Sequence, residues 1–218
     1  KLLSDYKVVI FMMDAENYGT VSIAPDKSIT LSDAAKIIGC RKALAKELSP
    51  EDYEIMTFDP APMKSAVAFT STIANSKDFC SDLSPTVNYF HDAFSSEFLC
   101  EVKHIDGNDS VRKRDQALSW LAEDTPENSC RIISNARCLS EGVDVPALDA
   151  VIFINPKHSE IDIVQSVGRV MRRAEGKNSG YVIIPIAVRS DVKPEEALED
   201  NKEYNYTHIE RRDINFSV

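Results

Sequence analysis

The chain has 218 residues, 43% of them hydrophobic and 28% charged, and a formal net charge of −10, which is enough length for one sizeable core and part of a second unit. No apolar run approaches the roughly 20 residues that a membrane-spanning helix needs, and no signal-peptide pattern follows Lys1, so the sequence predicts a soluble, cytoplasmic protein. Five cysteines (Cys40, Cys80, Cys100, Cys130, Cys138) are odd in number and lack C-x-x-C spacing, which excludes a disulfide framework and a zinc site and predicts small buried hydrophobes.

In chain order, residues 6–13 read as an apolar strand ending near two acids, Asp14 and Glu16, and residues 23–30 as a turn or short hairpin. Ser32 is positioned to cap a helix through Ile38, which Gly39 interrupts or ends, and residues 41–48 continue helical. Ser49 and Pro50 open a fresh helix, with proline at the tolerated first position. Pro60, Ala61 and Pro62 exclude regular helix and favour extended backbone, so a linker and a domain boundary are expected there.

Beyond residue 62 the pattern alternates. Apolar strands are expected over 65–70, 100–104, 131–134, 150–154 and 180–186, separated by helical segments near 73–83, 111–122 and 161–171. Such alternation predicts an α/β fold with a parallel sheet covered by helices on both faces, and the short continuous apolar runs fit central strands. Ligands of such sheets gather at the carboxyl ends of the strands. Thr72, Ser134 and Asn135 fall there, with hydroxyl and amide groups suited to sugar-phosphate contacts that position a strand without reading its bases. Trp120 sits on an amphipathic helix and is expected in the core, and the four histidines lack partners at metal-ligand spacing.

Gln165, Arg169 and Arg172 share one face at helical spacing, with Val164, Val167 and Met171 available for burial on the other. Arginine keeps its proton and offers a rigid fork of donors, so two of them one turn apart can clamp a polyphosphate; a solvated basic face is the alternative. Upstream, residues 131–146 read as a strand ending in polar residues, a turn carrying Gly142 and Asp144, and Pro146, before the strand at 150–154. These two segments resemble motifs V and VI of superfamily II helicases and DNA translocases. Residues 66–72 similarly resemble motif IV, and 102–107 the strand and turn that follow it in the second RecA-like lobe. The resemblance covers residues 65–190 and is greatest to restriction-type and phage-borne helicases.

The resemblance implies a RecA-like fold and the second motor lobe of an ATP-dependent helicase or translocase, working on nucleic acid, DNA above all. Arg172 would be the arginine finger on the γ-phosphate with Arg169 supporting it, while Gln165, Gly142 and Asp144 would serve the nucleotide. Thr72, Ser134 and Asn135 would meet the nucleic-acid backbone. ATP and Mg2+ would be held mainly by a first lobe, because no glycine-rich loop ending in Gly-Lys-Ser/Thr occurs here. The chain is therefore expected to be a fragment, inactive alone. Residues 1–62 would be the end of the preceding lobe and a helical linker, 63–190 the helicase C-terminal domain, and 191–218 an acidic extension. A catalytically inactive binding module derived from this lobe is the alternative.

The net charge argues against a polyanion partner only if acids and bases are evenly spread. Acids crowd into residues 47–59 and 195–203, whereas Arg112, Lys113 and Arg114 form a cation cluster. That cluster lies in the first turn of a helix beginning at Asp109 or Ser110, where each cation opposes the helix dipole by roughly 0.3–1 kcal/mol. A nucleic-acid phosphate would offset that cost, and Asp106, Asp109 and Asp115 would offset it equally.

Overall fold

The computed structural model describes residues 5–14, 19–47, 59–136, 139, 148–155, 168, 179–188 and 214–217. Nine strands and three α-helices lie among them: β1 (Asp5–Asp14), β2 (Thr20–Ala24), β3 (Lys27–Thr30), α1 (Leu31–Leu44), β4 (Ser65–Phe69), α2 (Ile73–Tyr89), β5 (Leu99–His104), α3 (Val111–Ala122), β6 (Ser129–Asn135), β7 (Ala150–Phe153), β8 (Ser179–Val188) and β9 (Ile214–Ser217). Seven strands form one parallel sheet in the order β5-β6-β4-β7-β8-β1-β9, and β2 pairs antiparallel with β3 as a hairpin.

The strands alternate their side chains between two apolar layers, as a period of two requires. Val9, Ala66, Ala68, Ile132, Ile152 and Ile183 face one way and meet Ile37 and Leu44 of α1 and Phe79 and Leu83 of α2. Val67, Phe69, Ile133, Val151, Val182 and Ile184 face the other way and meet Ala117 and Leu121 of α3. Both faces are covered, which explains why the strand runs read as continuously apolar. Burying Phe79 or Leu83 stabilises the fold by about 1.5–3 kcal/mol each.

The helix signals were partly local. Ser110 caps α3, its Oγ accepting from Lys113 N at 3.2 Å, so this helix starts where the sequence places it. The cap of α1 is Thr30, whose Oγ1 accepts from Asp33 N at 3.1 Å, and Ser32 lies inside the helix. The helix runs unbroken through Gly39, because its residues 37–41 are buried and packing outweighs the propensity cost of one glycine. Helix α2 likewise continues past the expected stop near Leu83 and through Pro85, with Leu83 and Thr86 buried.

The expectation that residues 1–62 belong to a preceding lobe needs correction on its strand. β1 pairs with β8 along ten residues, from Asp5↔Ser179 to Asp14↔Val188, so it is part of this lobe's own sheet. Val8, Val9 and Ile10 are at most 2% exposed. After α1, Lys46 adopts the left-handed conformation (φ 59°), which costs a non-glycine residue roughly 1–2 kcal/mol. The cost is offset by its ammonium, which donates to Asp59 O at 2.8 Å and Asp59 Oδ2 at 3.2 Å and lies 3.8 Å from the centre of the Tyr181 ring. Tyr181 donates to the same carboxylate at 2.8 Å. Asp59, just before the expected linker at 60–62, is thereby fixed to β8.

Candidate nucleic-acid interface

The carboxyl edge of the sheet collects the loops after β4, β5, β6 and β7. Thr70 N donates to Asn135 O at 3.0 Å, its Oγ1 donates to Thr72 O at 3.0 Å, and Asn135 Nδ2 donates to Ala68 O at 3.3 Å. The turn after β4 is therefore anchored to the end of β6. Thr72 then caps α2 by accepting from Asn75 N at 3.1 Å. Ser71 and Thr72 are exposed, so a hydroxyl pair and a helix N-terminus face solvent together, a combination that suits an anionic oxygen.

Ser134 and Asn135 do not share that exposure. Both are fully buried, and Ser134 Oγ lies 2.7 Å from Ser76 Oγ. Asn135 Oδ1 accepts from Leu139 N at 3.4 Å. The expected backbone contact is one their side-chain atoms cannot make from these positions. The signal was in the strand parity: Ser134 shares a face with Ile132, and that face lies under α2.

Ser76 connects further. Its Oγ lies 2.7 Å from His104 Nδ1, and His104 Nε2 lies 3.1 Å from Asp106 Oδ2. In the tautomer that gives Nε2–H to Asp106, Nδ1 accepts the Ser76 hydroxyl proton. The order Ser76, His104, Asp106 is that of a hydrolytic triad, but Ser76 has no solvent exposure and spends its remaining capacity on Ser134. A nucleophile must reach its substrate, so this chain of bonds is a brace. The histidine hydrogen bond and then the Asn108 amide hold the Asp106 carboxyl below its usual range.

The brace ends at the basic cluster. Asp106 Oδ1 accepts from Asn108 N at 2.8 Å, and Asp106 N donates to Asp109 Oδ2 at 2.9 Å. Asp109 Oδ1 in turn receives the Lys113 ammonium, which lowers the Asp109 carboxyl's pKa. Arg112 and Lys113 are exposed and Arg114 is half-buried, all in the first turn of α3. Of the three expected cations, Lys113 is thus already compensated within the chain.

Asn155, just past β7, was not singled out by sequence. Its Oδ1 accepts from Ser71 N at 3.3 Å and Asn75 Nδ2 at 3.5 Å. Beside it a cleft of about 150 Å3 opens between α1 and α2, lined by Asp33, Asp78, Asp82 and Lys36 among others. Three carboxylates against one ammonium make this cleft a poor phosphate site, and the exposed hydroxyls of the turn at Ser71 and Thr72 suit an anionic oxygen better. Trp120 is half-buried against the α3 layer, with Lys103 Nζ 4.0 Å from its ring centre, and serves packing. Cys40, Cys100 and Cys130 are buried, and burial pushes the Cys80 and Cys100 thiols up to about 12. Among the described residues no group of three or more His, Cys, Asp or Glu side chains is arranged to hold a metal ion.

Gln165, Arg169, Arg172, Gly142 and Asp144 lie outside the described residues, as does most of the expected helix over 161–171; Gly168 within it is helical.

An all-parallel sheet of this order, with polar turns gathered at its carboxyl edge, defines a RecA-like lobe. Residues 56–174 match the helicase conserved C-terminal domain, and the chain belongs to that family. It is 37% identical to the ATP-dependent Type ISP restriction-modification enzyme LlaBIII, solved bound to DNA, with a TM-score of 0.76 over 93% of this chain and 13% of that one. A probable helicase of African swine fever virus is 38% identical over 82 residues, covering 38% of this chain and 10% of the viral protein. The protein named "Putative helicase 22" of Sulfolobus islandicus filamentous virus is 30% identical over 80 residues, covering 34% of this chain and 14% of that one. The chain thus spans about a tenth of the length of the first of these viral relatives and of the restriction enzyme.

Proposed function

We propose that this lobe is the second half of an ATP-dependent DNA translocase or helicase motor, completed by a first RecA-like lobe. The observation that carries the reading is the likeness, over nearly the whole chain, to an ATP-dependent enzyme solved on DNA. The first lobe would hold ATP and its Mg2+. Arg172 would stabilise the charge that develops on the γ-phosphoryl group, Arg169 would support it, and Gln165, Gly142 and Asp144 would complete the nucleotide's surroundings. Ser71, Thr72 and the cations Arg112 and Arg114 would hold backbone phosphates without reading sequence. Lobe closure on ATP and reopening after hydrolysis would then move this edge along the strand.

The test is ATP hydrolysis by the complete two-lobed protein, measured with DNA, with RNA and with neither, alongside Arg172→Ala and Arg172→Lys. Hydrolysis should rise with DNA, and Arg172→Ala should lower turnover by roughly 10³ while nucleotide affinity falls much less. Lysine should rescue poorly, because a point charge does not reproduce the planar fork. Near-normal turnover in the alanine variant, at unchanged melting temperature, would sink the arginine assignment. Stimulation by RNA alone would sink the DNA assignment, and a complete protein without ATP hydrolysis would point to the inactive binding module.

A further inference from the structure

The turn after β4 is tied to its neighbours in two unlike ways. Toward β6 the tie is buried: Thr70 N and Oγ1 both reach Asn135 O, at 3.0 and 3.3 Å, and Thr70 is 3% exposed. Toward β7 the tie is a single amide oxygen. The β4–β7 ladder runs out where Ile154 N donates to Phe69 O at 3.1 Å, and one residue later Asn155 Oδ1 accepts both Ser71 N, at 3.3 Å, and Asn75 Nδ2, at 3.5 Å. Asn75 Nδ2 also donates to Ser71 Oγ at 2.8 Å, and Asn75 N to Thr72 Oγ1 at 3.1 Å. One oxygen at the end of β7 therefore reaches both the exposed turn and the first turn of α2. Asn155 and Asn75 are half-buried and Ser71 is exposed, so these long bonds lie where a ligand can compete for their donors.

We propose that Asn155 is a positioning residue that couples occupancy of the Ser71–Thr72 turn to the segment carrying the nucleotide arginines. This rests on the function proposed above. Asn155 is continuous with the segment that leads to Gln165, Arg169 and Arg172, and among the described residues after β7 it is the one whose side chain hydrogen-bonds to the turn. A phosphate drawing the Ser71 amide or hydroxyl toward itself loosens the Asn155 tie, and the end of β7 is then released from the turn. Coupling of this kind is reciprocal, so a nucleotide that shifts the end of β7 alters the turn by the same factor. The requirement is for an acceptor oxygen, which aspartate supplies and alanine does not.

The experiment uses the complete protein as wild type, Asn155→Ala and Asn155→Asp. Three quantities are measured: the ratio of DNA-stimulated to unstimulated ATP hydrolysis, the DNA Kd without nucleotide, and the melting temperature. The loss of one or two neutral hydrogen bonds predicts a fall in the stimulation ratio of about fivefold to tenfold for Asn155→Ala, with DNA Kd within about twofold of wild type. Asn155→Asp should keep at least half of the wild-type ratio. An unchanged ratio in the alanine variant overturns the coupling role while leaving the motor function standing. A weakening of DNA binding that accounts for the whole loss overturns it in favour of direct binding. If alanine lowers the melting temperature into the assay range, the aspartate variant decides, and its failure to be stimulated overturns the proposal. A wild type that hydrolyses ATP without any response to nucleic acid overturns both this inference and the function on which it rests.

Discussion

At the amino edge of the sheet two buried cations, Arg41 and Lys46, are matched by carboxylates; at the carboxyl edge hydroxyls, an amide, an imidazole and the Asp106 carboxylate form the inner layer, and the cations stand outside. Arg41, 2% exposed at the end of α1, pairs with Glu47, donates to Ser96 O, and lies 4.1 Å from the Phe94 ring centre. Glu47 also accepts from Ser95 N at 3.2 Å and Ser96 N at 3.1 Å. Nearby, Asp149 Oδ2 accepts from Lys64 N at 2.8 Å and Ser65 N at 3.0 Å. These contacts fix the chain as it enters β4, β5 and β7. The carboxyl edge, by contrast, joins β6, α2, β5 and the loop after β5 through the chain from Ser134 to Asp106 and leaves Ser71, Thr72 and Arg112 facing solvent. One edge sets stability, and the other keeps groups available for a ligand.

That division can be broken most forcefully at Arg41. Arg41→Ala leaves the half-buried Glu47 without its charge partner and opens the buried site that Arg41 fills, and should cost about 3 kcal/mol in urea denaturation. The double variant Arg41→Met with Glu47→Leu should cost clearly less, because it removes both charges. Equal losses would show that packing against Phe94, not charge pairing, holds this edge.

Neutralising the cation cluster tests the other edge. Arg112→Gln with Arg114→Gln should lower the slope of log DNA affinity against log salt by about 2, whereas Lys113→Gln should change it far less because Asp109 already compensates that charge. Melting temperatures should hold or rise slightly, since the removed charges oppose the α3 dipole. Binding measured across a salt series gives the answer, and an equal effect at Lys113 would show that DNA displaces Asp109.

Ser134→Ala separates brace from contact. Ser76 keeps His104, so the loss should be about 1 kcal/mol of stability with DNA affinity unchanged. A large loss of DNA affinity in a stably folded variant would return Ser134 to the interface. The smallest effect concerns acid. Burial alone would push the Glu47 carboxyl up, but the Ser96 hydroxyl, Arg41 and the Ser95 amide hold it below its usual value of 4.5. A carboxylate depressed on folding contributes stability above that value and loses it as pH falls through the folded pKa. Glu47→Gln should therefore flatten the stability profile below about pH 4.5 relative to wild type, followed by the pH at the acid unfolding midpoint.

Local signals located most of the fold. Strand patterns of length and apolarity at 65–70 and 150–154 were enough because each strand is buried on both faces, 100–104 alternates as an edge strand with one face exposed, and α3 was fixed by its own cap at Ser110. What local pattern could not supply was partnership across distance. Nothing near residues 5–14 says that β8 lies beside them, and β9 sits in a stretch without periodicity. The site divides the same way: Thr72 and Arg112 are exposed where turn and cap chemistry put them, whereas the burial of Ser134 follows from α2 lying over β6. Asn155 escaped notice because its role depends on a turn more than eighty residues earlier.

The ten-residue pairing of β1 with β8 bears on how this lobe can be handled as a separate piece. The family match begins at residue 56, well after β1 and α1. A polypeptide cut at that boundary would strip α1 from Ile183 and leave one whole side of β8 without a hydrogen-bonding neighbour. A long, flat, apolar strand edge of that kind recruits other chains. Such a truncation would therefore fail by self-association rather than by loss of any catalytic group, and its silence in an activity assay would say nothing about what the intact lobe does.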